Sequence, residues 1–267
     1  KFGVSVANGD YIMFVDSDDE LVPGACKKFV KYMEIDNLDI LHFETEIVAE
    51  NSTTMEAVRW FERFSRPHYG ELRGNMVFEG CFSKKLYRFN IWNKIYKSDL
   101  CKKAFDYIDE GRYPKAQDLY AFFIISFLAK SYRGIKERGY VYHYGRGITG
   151  RKSEDATTFR RICSQAVVAK RCKRFLIDMG VYGKYRDEFI AMERDLLMEC
   201  LSHLDRADDS RRPELSNILI ESWLNSDVFY RAYLGAGRPD LSPFEVKKDD
   251  VNEEEAINVV FAVNENY

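Results

Sequence analysis

The chain has 267 residues, room for one large or two small domains, and a formal net charge of −3. A pI near 5.9 gives no electrostatic footing for a nucleic-acid partner, so none is expected. No apolar run approaches the ~20 residues that span a bilayer, and the six cysteines, with no C-x-x-C pair, read as reduced and mostly buried thiols of a cytoplasmic protein.

Lys1 to Val6 reads as the end of a helix, and no signal peptide is visible in a chain that does not start with Met. Gly9-Asp10 is a turn pair, and Tyr11 to Val15 is a short apolar run rich in β-formers, hence a buried strand. It runs straight into Asp16-Ser17-Asp18-Asp19-Glu20. Ionised carboxylates cannot sit unpaired inside a buried strand, so the acids belong just past its carboxyl end, where an α/β sheet opens into a crevice. Oxygen donors at such a place suit Mg²⁺ or Mn²⁺ holding a substrate phosphate, which makes Asp16 and Asp18 metal and donor candidates. An EF-hand loop begun at Asp16 would need Gly at Leu21 and Glu at Lys27, and has neither. A haloacid-dehalogenase-type phosphotransferase also carries D-x-D after a strand but continues Gly-Thr, where this chain has Asp19-Glu20. Asp19 and Glu20 themselves read as acids capping the helix begun at Pro23.

Pro23 to Ile35 is predicted helical, with Ala25, Phe29, Val30 and Met33 as its apolar stripe and Asp36-Asn37 as its break. Leu38 to Phe43 reads as a strand in which His42 is a satisfied structural residue. Met55 to Phe64 is a short amphipathic helix, and Ser65 to Gly80, rich in Gly and Pro, reads as a loop. Ile91 to Tyr96 is the next strand. Trp92 has two readings, a core anchor or a wall under an acceptor sugar ring. Lys94 is hard to place in a core, since lysine is rarely buried unpaired; Asp118 or a substrate group would answer it. Ala116 to Lys130 is a helix apolar on most sides, with Asp118 in its first turn. Gly139 to Tyr144 alternates aromatic and small residues as a strand does, before a basic loop, Arg146 to Arg151.

The run Gly-Asp-Tyr-Ile-x-Phe-Val-Asp-Ser-Asp-Asp resembles the central motif of family 2 glycosyltransferases with the GT-A fold. Ile91-Trp92-Asn93-Lys94-Ile95-Tyr96 is similar to that family's W-N-K-L-Y segment, and Gln117-Asp118 stands where Glu-Asp is usual. Tyr140-Val141-Tyr142 with Gly147-Ile148-Thr149 resembles its closing Tyr-x-Tyr…Ser strand. Lys1 to Ser5 keeps only Gly3 of the usual Arg-Asn-x-Gly. The resemblance implies a metal-dependent transfer of sugar from a nucleotide-sugar donor, a UDP-sugar, to an acceptor hydroxyl. The cofactor would be Mn²⁺ or Mg²⁺ on Asp16 and Asp18. Asp118 would be the general base, against its plain role of complementing the helix dipole, worth ~0.3–1 kcal/mol. His143 would complete the metal shell, and Arg146 and Arg151 would join Lys94 on the diphosphate. The acceptor would be a saccharide or a lipid-linked sugar of bacterial surface polysaccharide or glycoconjugate, with peripheral membrane association at the cytoplasmic face.

The fold expected is α/β: a partial GT-A domain, a Rossmann-like mixed sheet with flanking helices, at 1–152, lacking the β-α-β units that precede its D-x-D strand. A helical extension follows at 153–234, in three stretches at Thr158–Met179, Tyr185–His203 and Pro213–Trp223. Residues 235–255 read as a linker. Residues 256–267 open with a strong strand signal and end Asn264-Glu265-Asn266-Tyr267, similar to the first strand of a family 8 glycosyltransferase, which carries Asp where Asn264 stands. The reading from another class is a catalytically silent carbohydrate-binding or scaffold module, in which the acids merely cap.

Overall fold

The computed structural model describes residues 1–49, 53–145, 155–224 and 226–229. Arg146, Arg151, the linker at 235–255 and the strand expected at 256–267 lie outside the described residues. The chain divides into two compact units, Lys1–Ser153 with Val167–Met192, and Glu154–Ala166 with Glu193–Tyr267. That differs from the division expected at 152/153. Residues 167–192 fold with the first unit because Phe175 packs edge-on against Phe127 at 5.2 Å and Tyr185 against Phe78 at 5.0 Å.

The first unit begins with α1 (Phe2–Val6), β1 (Tyr11–Met13), β2 (Glu20–Leu21), α2 (Ala25–Ile35) and β3 (Ile40–Ala49). It continues through α3 (Met55–Ser65), β4 (Gly70–Arg73), α4 (Met76–Phe82), β5 (Lys94–Lys97), α5 (Ser98–Asp106), α6 (Gln117–Leu128) and β6 (Ser131–Tyr144). The strands form one mixed sheet in the order β1-β5-β3-β6-β2, with β4 pairing the first residues of β6. β5 is antiparallel to both β1 and β3, and β3 is parallel to β6. The carboxyl ends of β1, β3 and β6 therefore point the same way, and the acids after β1 lie at that end.

Two expectations fail here. The apolar run Tyr11–Val15 predicts a buried strand, but β1 is an edge strand of three residues in which only Ile12 is buried, and Val15, beyond its end, is 46% exposed. The stretch 65–80 was read as loop, yet it holds β4 and the start of α4. Leu72 of β4 and Val77, Phe78 and Cys81 of α4 are buried, so tertiary packing overrides the Gly-rich composition.

α2 lays Ala25, Phe29 and Met33 onto the sheet, as its stripe predicts, and Asn37 ends it with φ of 47°. Phe29 stacks on Phe43 of β3 at 4.3 Å, and Gly139 of β6 leaves room for that pair. A Cβ at Gly139 would come within 2.2 Å of the Phe29 ring. On α6, every residue from Leu119 to Ser126 is buried, as the continuous apolar run requires. His42 is fully buried and satisfied, with Nδ1 2.9 Å from the Tyr132 hydroxyl and Nε2 3.2 Å from the Ser65 carbonyl. Burial holds its pKa well below the usual imidazole value, as does the nearby Lys94.

Beyond β6 come α7 (Ala156–Cys163), α8 (Gln165–Asp178), α9 (Arg186–Asp205) and α10 (Arg212–Trp223). The single helix expected over Thr158–Met179 is broken at Ser164, whose hydroxyl turns back onto the Arg161 carbonyl at 2.7 Å. In the second unit α7 packs on α10, and Gln165 Nε2 donates to the Leu196 carbonyl and to Cys200 Sγ. The described cysteines are all free thiols, and Cys26 alone is exposed.

Candidate active site

The turn after β1 is tied to β6 by three hydrogen bonds. The Asp16 N–H donates to the Tyr140 hydroxyl at 3.1 Å, and that hydroxyl donates to Asp19 Oδ2 at 2.9 Å. Asp19 Oδ1 accepts the His143 N–H at 2.8 Å, while the Asp19 N–H closes the turn onto the Asp16 carbonyl at 3.1 Å. Glu20 pairs with Val141 in the strand ladder, and its Oε1 lies 3.1 Å from His143 Nε2. Asp19 and Glu20 are thus not the caps they were read as. α2 starts behind Gly24, at φ 81°, with no side-chain cap at all.

Three acids in one turn repel one another. Burial raises the Asp16 carboxyl above the usual carboxylate range, and the negative charges of Asp19 and Asp18 raise it further. Asp19 is raised by burial too, against the opposing pull of its bonds from the His143 N–H and Tyr140 hydroxyl. A crowded carboxylate pair of this kind is relieved by a bound cation.

Asp118, far along the chain, lies within electrostatic reach of Asp16. It lies in the first turn of α6, partly accessible, and accepts a hydrogen bond from the Ile91 N–H. Its pKa is raised to about 6, first by burial and then by the negative charge of Asp16, with Lys94 pulling the other way. Asp16, Asp118 and Lys94 are therefore one electrostatic group. Lys94 is fully buried at the start of β5, and burial lowers its pKa to about 7. Its ammonium does not pair with Asp118. It is held by the Asn90 carbonyl and by Asn93 Oδ1 (3.2 Å), and sits 5.0 Å from the Phe122 ring centre.

Two expected site residues are placed elsewhere. Trp92 is 5% exposed and stacked among Phe61, Tyr140 and Tyr142, so its ring is spent on the core and offers no wall to a sugar. His143 turns its ring to Glu20, leaving its buried Nδ1 without a partner, and it does not join Asp16 and Asp18. Among the described residues no three His, Cys, Asp or Glu side chains are grouped to hold a metal ion. The carboxylates that a cation at this turn would have are those of Asp16 and Asp18. That fits Mg²⁺ or Mn²⁺, which keep several waters and share substrate phosphates, and does not fit a closed protein cage.

Sequence reasoning missed Tyr140, Asn90 and Asn93 as the residues that fix the acids and the lysine. It also passed over Trp60, which is 53% exposed and stacked on Phe64 at 5.2 Å on α3. The period-two aromatics of β6 were the available signal for Tyr140, but the hydroxyl's target depends on β2 lying beside β6.

An open cavity of about 480 Å³ lies at the opposite end of the sheet, bordered by Asp39, Arg73, Lys97, Lys103 and Lys130. Its cations are partly met already, Lys97 by Asn37 Oδ1 at 2.6 Å and Arg73 by Glu71 at 2.9 Å. The carboxyls with raised pKa, Asp16, Asp19 and Asp118, do not border this cavity.

Residues 1–96 match the family model described as Glycosyl transferase family 2. No curated protein matches the chain. Among solved structures it is similar to S. aureus TarS 1–349 in complex with UDP-GlcNAc, at 15% identity and a TM-score of 0.41, over 86% of this chain and 70% of that one. It is similar also to S. aureus TarS 1–349 in complex with UDP, at 14% identity and a TM-score of 0.39, over 86% and 69%. For S. aureus TarS the values are 13%, 0.41, 86% and 42%.

Proposed function

We propose, from the match of residues 1–96 to the model of glycosyl transferase family 2, that the chain takes part in metal-dependent transfer of a sugar from a UDP-sugar to an acceptor hydroxyl. The observation that supports this reading is that Asp118, at the start of α6, lies within the electrostatic influence of Asp16, on the turn after β1. Asp16 would offer oxygen donors past the end of β1; Asp118 would offer a carboxyl of altered basicity within electrostatic reach of them.

A divalent cation bound there would offset the charge that develops on the departing diphosphate. Asp16 and Asp18 supply the carboxylate oxygens for it. Asp118, with a pKa near 6, is ionised at neutral pH yet basic enough to accept the proton of an acceptor hydroxyl, which is what a general base needs. The Ile91 N–H fixes the orientation of that carboxylate. Lys94 lies behind it, and its positive field favours the ionised form. An acceptor on a lipid would bring the protein to a membrane face as a peripheral enzyme, since no described helix is long and apolar enough to cross a bilayer.

The test is UDP release from a panel of UDP-sugars, with and without Mn²⁺ and with Asp118→Asn. Release that needs the metal, and falls ~10²–10⁴-fold in the variant while UDP binding persists, is the expected result. Release unaffected by Asp118→Asn would remove the general-base role.

A further inference from the structure

We propose that Tyr140 is a positioning residue whose hydroxyl sets the spacing of Asp16 and Asp18 for their cation, working through Asp19. The inference deepens the function proposed above and rests on it.

Asp16 and Asp18 sit in the six-residue connection, residues 14–19, between two short strands, β1 of three residues and β2 of two. Such strands hold little by themselves. Among the bonds that hold the turn, those to one hydroxyl join its two ends. Tyr140 accepts the N–H of Asp16 and donates to the carboxylate of Asp19, so the two ends of D-S-D-D are fixed to the same atom. The ring behind the hydroxyl is immobile. Tyr140 is fully buried, 4.9 Å from Trp92, and lies where β6 pairs with both β3 and β2. The second bond on Asp19, from the His143 N–H, comes from the same strand three residues on. Asp19 therefore has both carboxylate oxygens engaged and is directed at β6, which leaves Asp16 and Asp18 as the acids free to face a ligand. A partner outside the ligand set that fixes a ligand's orientation commonly governs metal affinity by roughly 10–100-fold.

The arrangement also gives Asp19 a role in place of the helix cap expected from the sequence. A third carboxylate beside Asp16 and Asp18 raises their mutual repulsion. Its value lies in the bond that it makes to Tyr140, which costs one added negative charge and returns a fixed turn.

The experiment compares wild type, Tyr140→Phe, Asp19→Asn and Asp19→Ala in the full chain. Mn²⁺ affinity is read by electron paramagnetic resonance, and amide hydrogen exchange is followed over residues 14–21. Phe keeps the ring and its stacking, so near-ultraviolet circular dichroism from Trp92 should be unchanged. Expected are a loss of Mn²⁺ affinity of roughly 10–100-fold in Tyr140→Phe and faster exchange at the Asp16 amide. Asp19→Asn, which keeps an acceptor for the hydroxyl, should retain more affinity than Asp19→Ala. If wild type binds Mn²⁺ and Tyr140→Phe binds it equally well, the positioning role is overturned and the metal site stands. If wild type binds no Mn²⁺, the metal site itself fails, and the positioning role with it. The exchange measurement reads the latch with no metal present: an Asp16 amide as fast in wild type as in Tyr140→Phe contradicts it.

Discussion

Lys94 lies within electrostatic reach of Asp118 but gives its hydrogen bonds to Asn90 and Asn93. A fully buried ammonium held by neutral oxygens keeps much of its desolvation penalty, which is why its pKa falls from 10.5 to about 7. For a group whose folded-state pKa is depressed, the related stability is present above the unfolded value and is lost as pH falls through the folded one. Wild type should therefore lose stability between pH 10 and pH 7. Lys94→Met removes that dependence, and also leaves Asn90 and Asn93 short of a donor. We expect the variant to be the less stable at pH 10, with a deficit that narrows by about 3–5 kcal/mol toward pH 7. Urea unfolding at the two pH values measures it. A deficit that is constant with pH would show that Lys94 does not titrate in this range.

Asp118 has the opposite sign. Its pKa is raised, to about 6, so its contribution to stability is full below the unfolded value near 3.8 and is lost as pH rises through 6. Asp118→Asn keeps an acceptor for the Ile91 N–H and abolishes the titration. In metal-free buffer the variant should gain on wild type between pH 4 and pH 7, by about 1–3 kcal/mol. A variant that loses ground over that interval would mean that the carboxylate is stabilised in the fold, as a helix-dipole partner would be.

The three tryptophans report separately on the fold. Trp223 is fully buried, Trp92 is 5% exposed and Trp60 is 53% exposed. Acrylamide should therefore quench one class of emission readily, and Trp60→Phe should remove that class alone. Readily quenched emission that survives in Trp60→Phe would place Trp92 or Trp223 at the surface, and would reopen the sugar-wall role for Trp92.

Gly139→Ala probes the packing between α2 and the sheet. The added Cβ would lie 2.2 Å from the Phe29 ring and 2.6 Å from the Phe43 ring, and neither buried side chain has free space to retreat into. We expect a loss of at least about 1–3 kcal/mol in thermal or urea unfolding. A neutral substitution would contradict the stacking of Phe29 on Phe43.

What the sequence disclosed was the part decided locally. The acids after Tyr11–Val15 had to lie past a strand end, and the stripe of Ala25, Phe29 and Met33 had to face a core, because three or four neighbouring residues settle each point. Trp92 and Trp60 show where that ends. Both are aromatic and both sit in apolar patterns, but which is buried depends on Phe61 of α3 and Tyr140 and Tyr142 of β6 packing around Trp92. Asp19 looked like a cap because acids favour helix starts, and the competing bonds from Tyr140 and His143 lie more than 120 residues away. The pairing of Lys94 with Asp118 failed for the reverse reason, since nearby Asn90 and Asn93 took the ammonium first. β4 and α4 were hidden by the glycines of 65–80, whose composition says turn while Leu72 and Phe78 are drawn into the core.

Whether Asp16 and Asp18 hold a divalent cation against a nucleotide diphosphate is read most directly by titrating Mn²⁺ into the chain under electron paramagnetic resonance, with and without UDP. Saturable binding that tightens when UDP is present, and that disappears in Asp18→Ala while far-ultraviolet circular dichroism is unchanged, is the expected result. Wild type that binds no Mn²⁺ in the presence of UDP, or Asp18→Ala that binds it as well as wild type does, would contradict it.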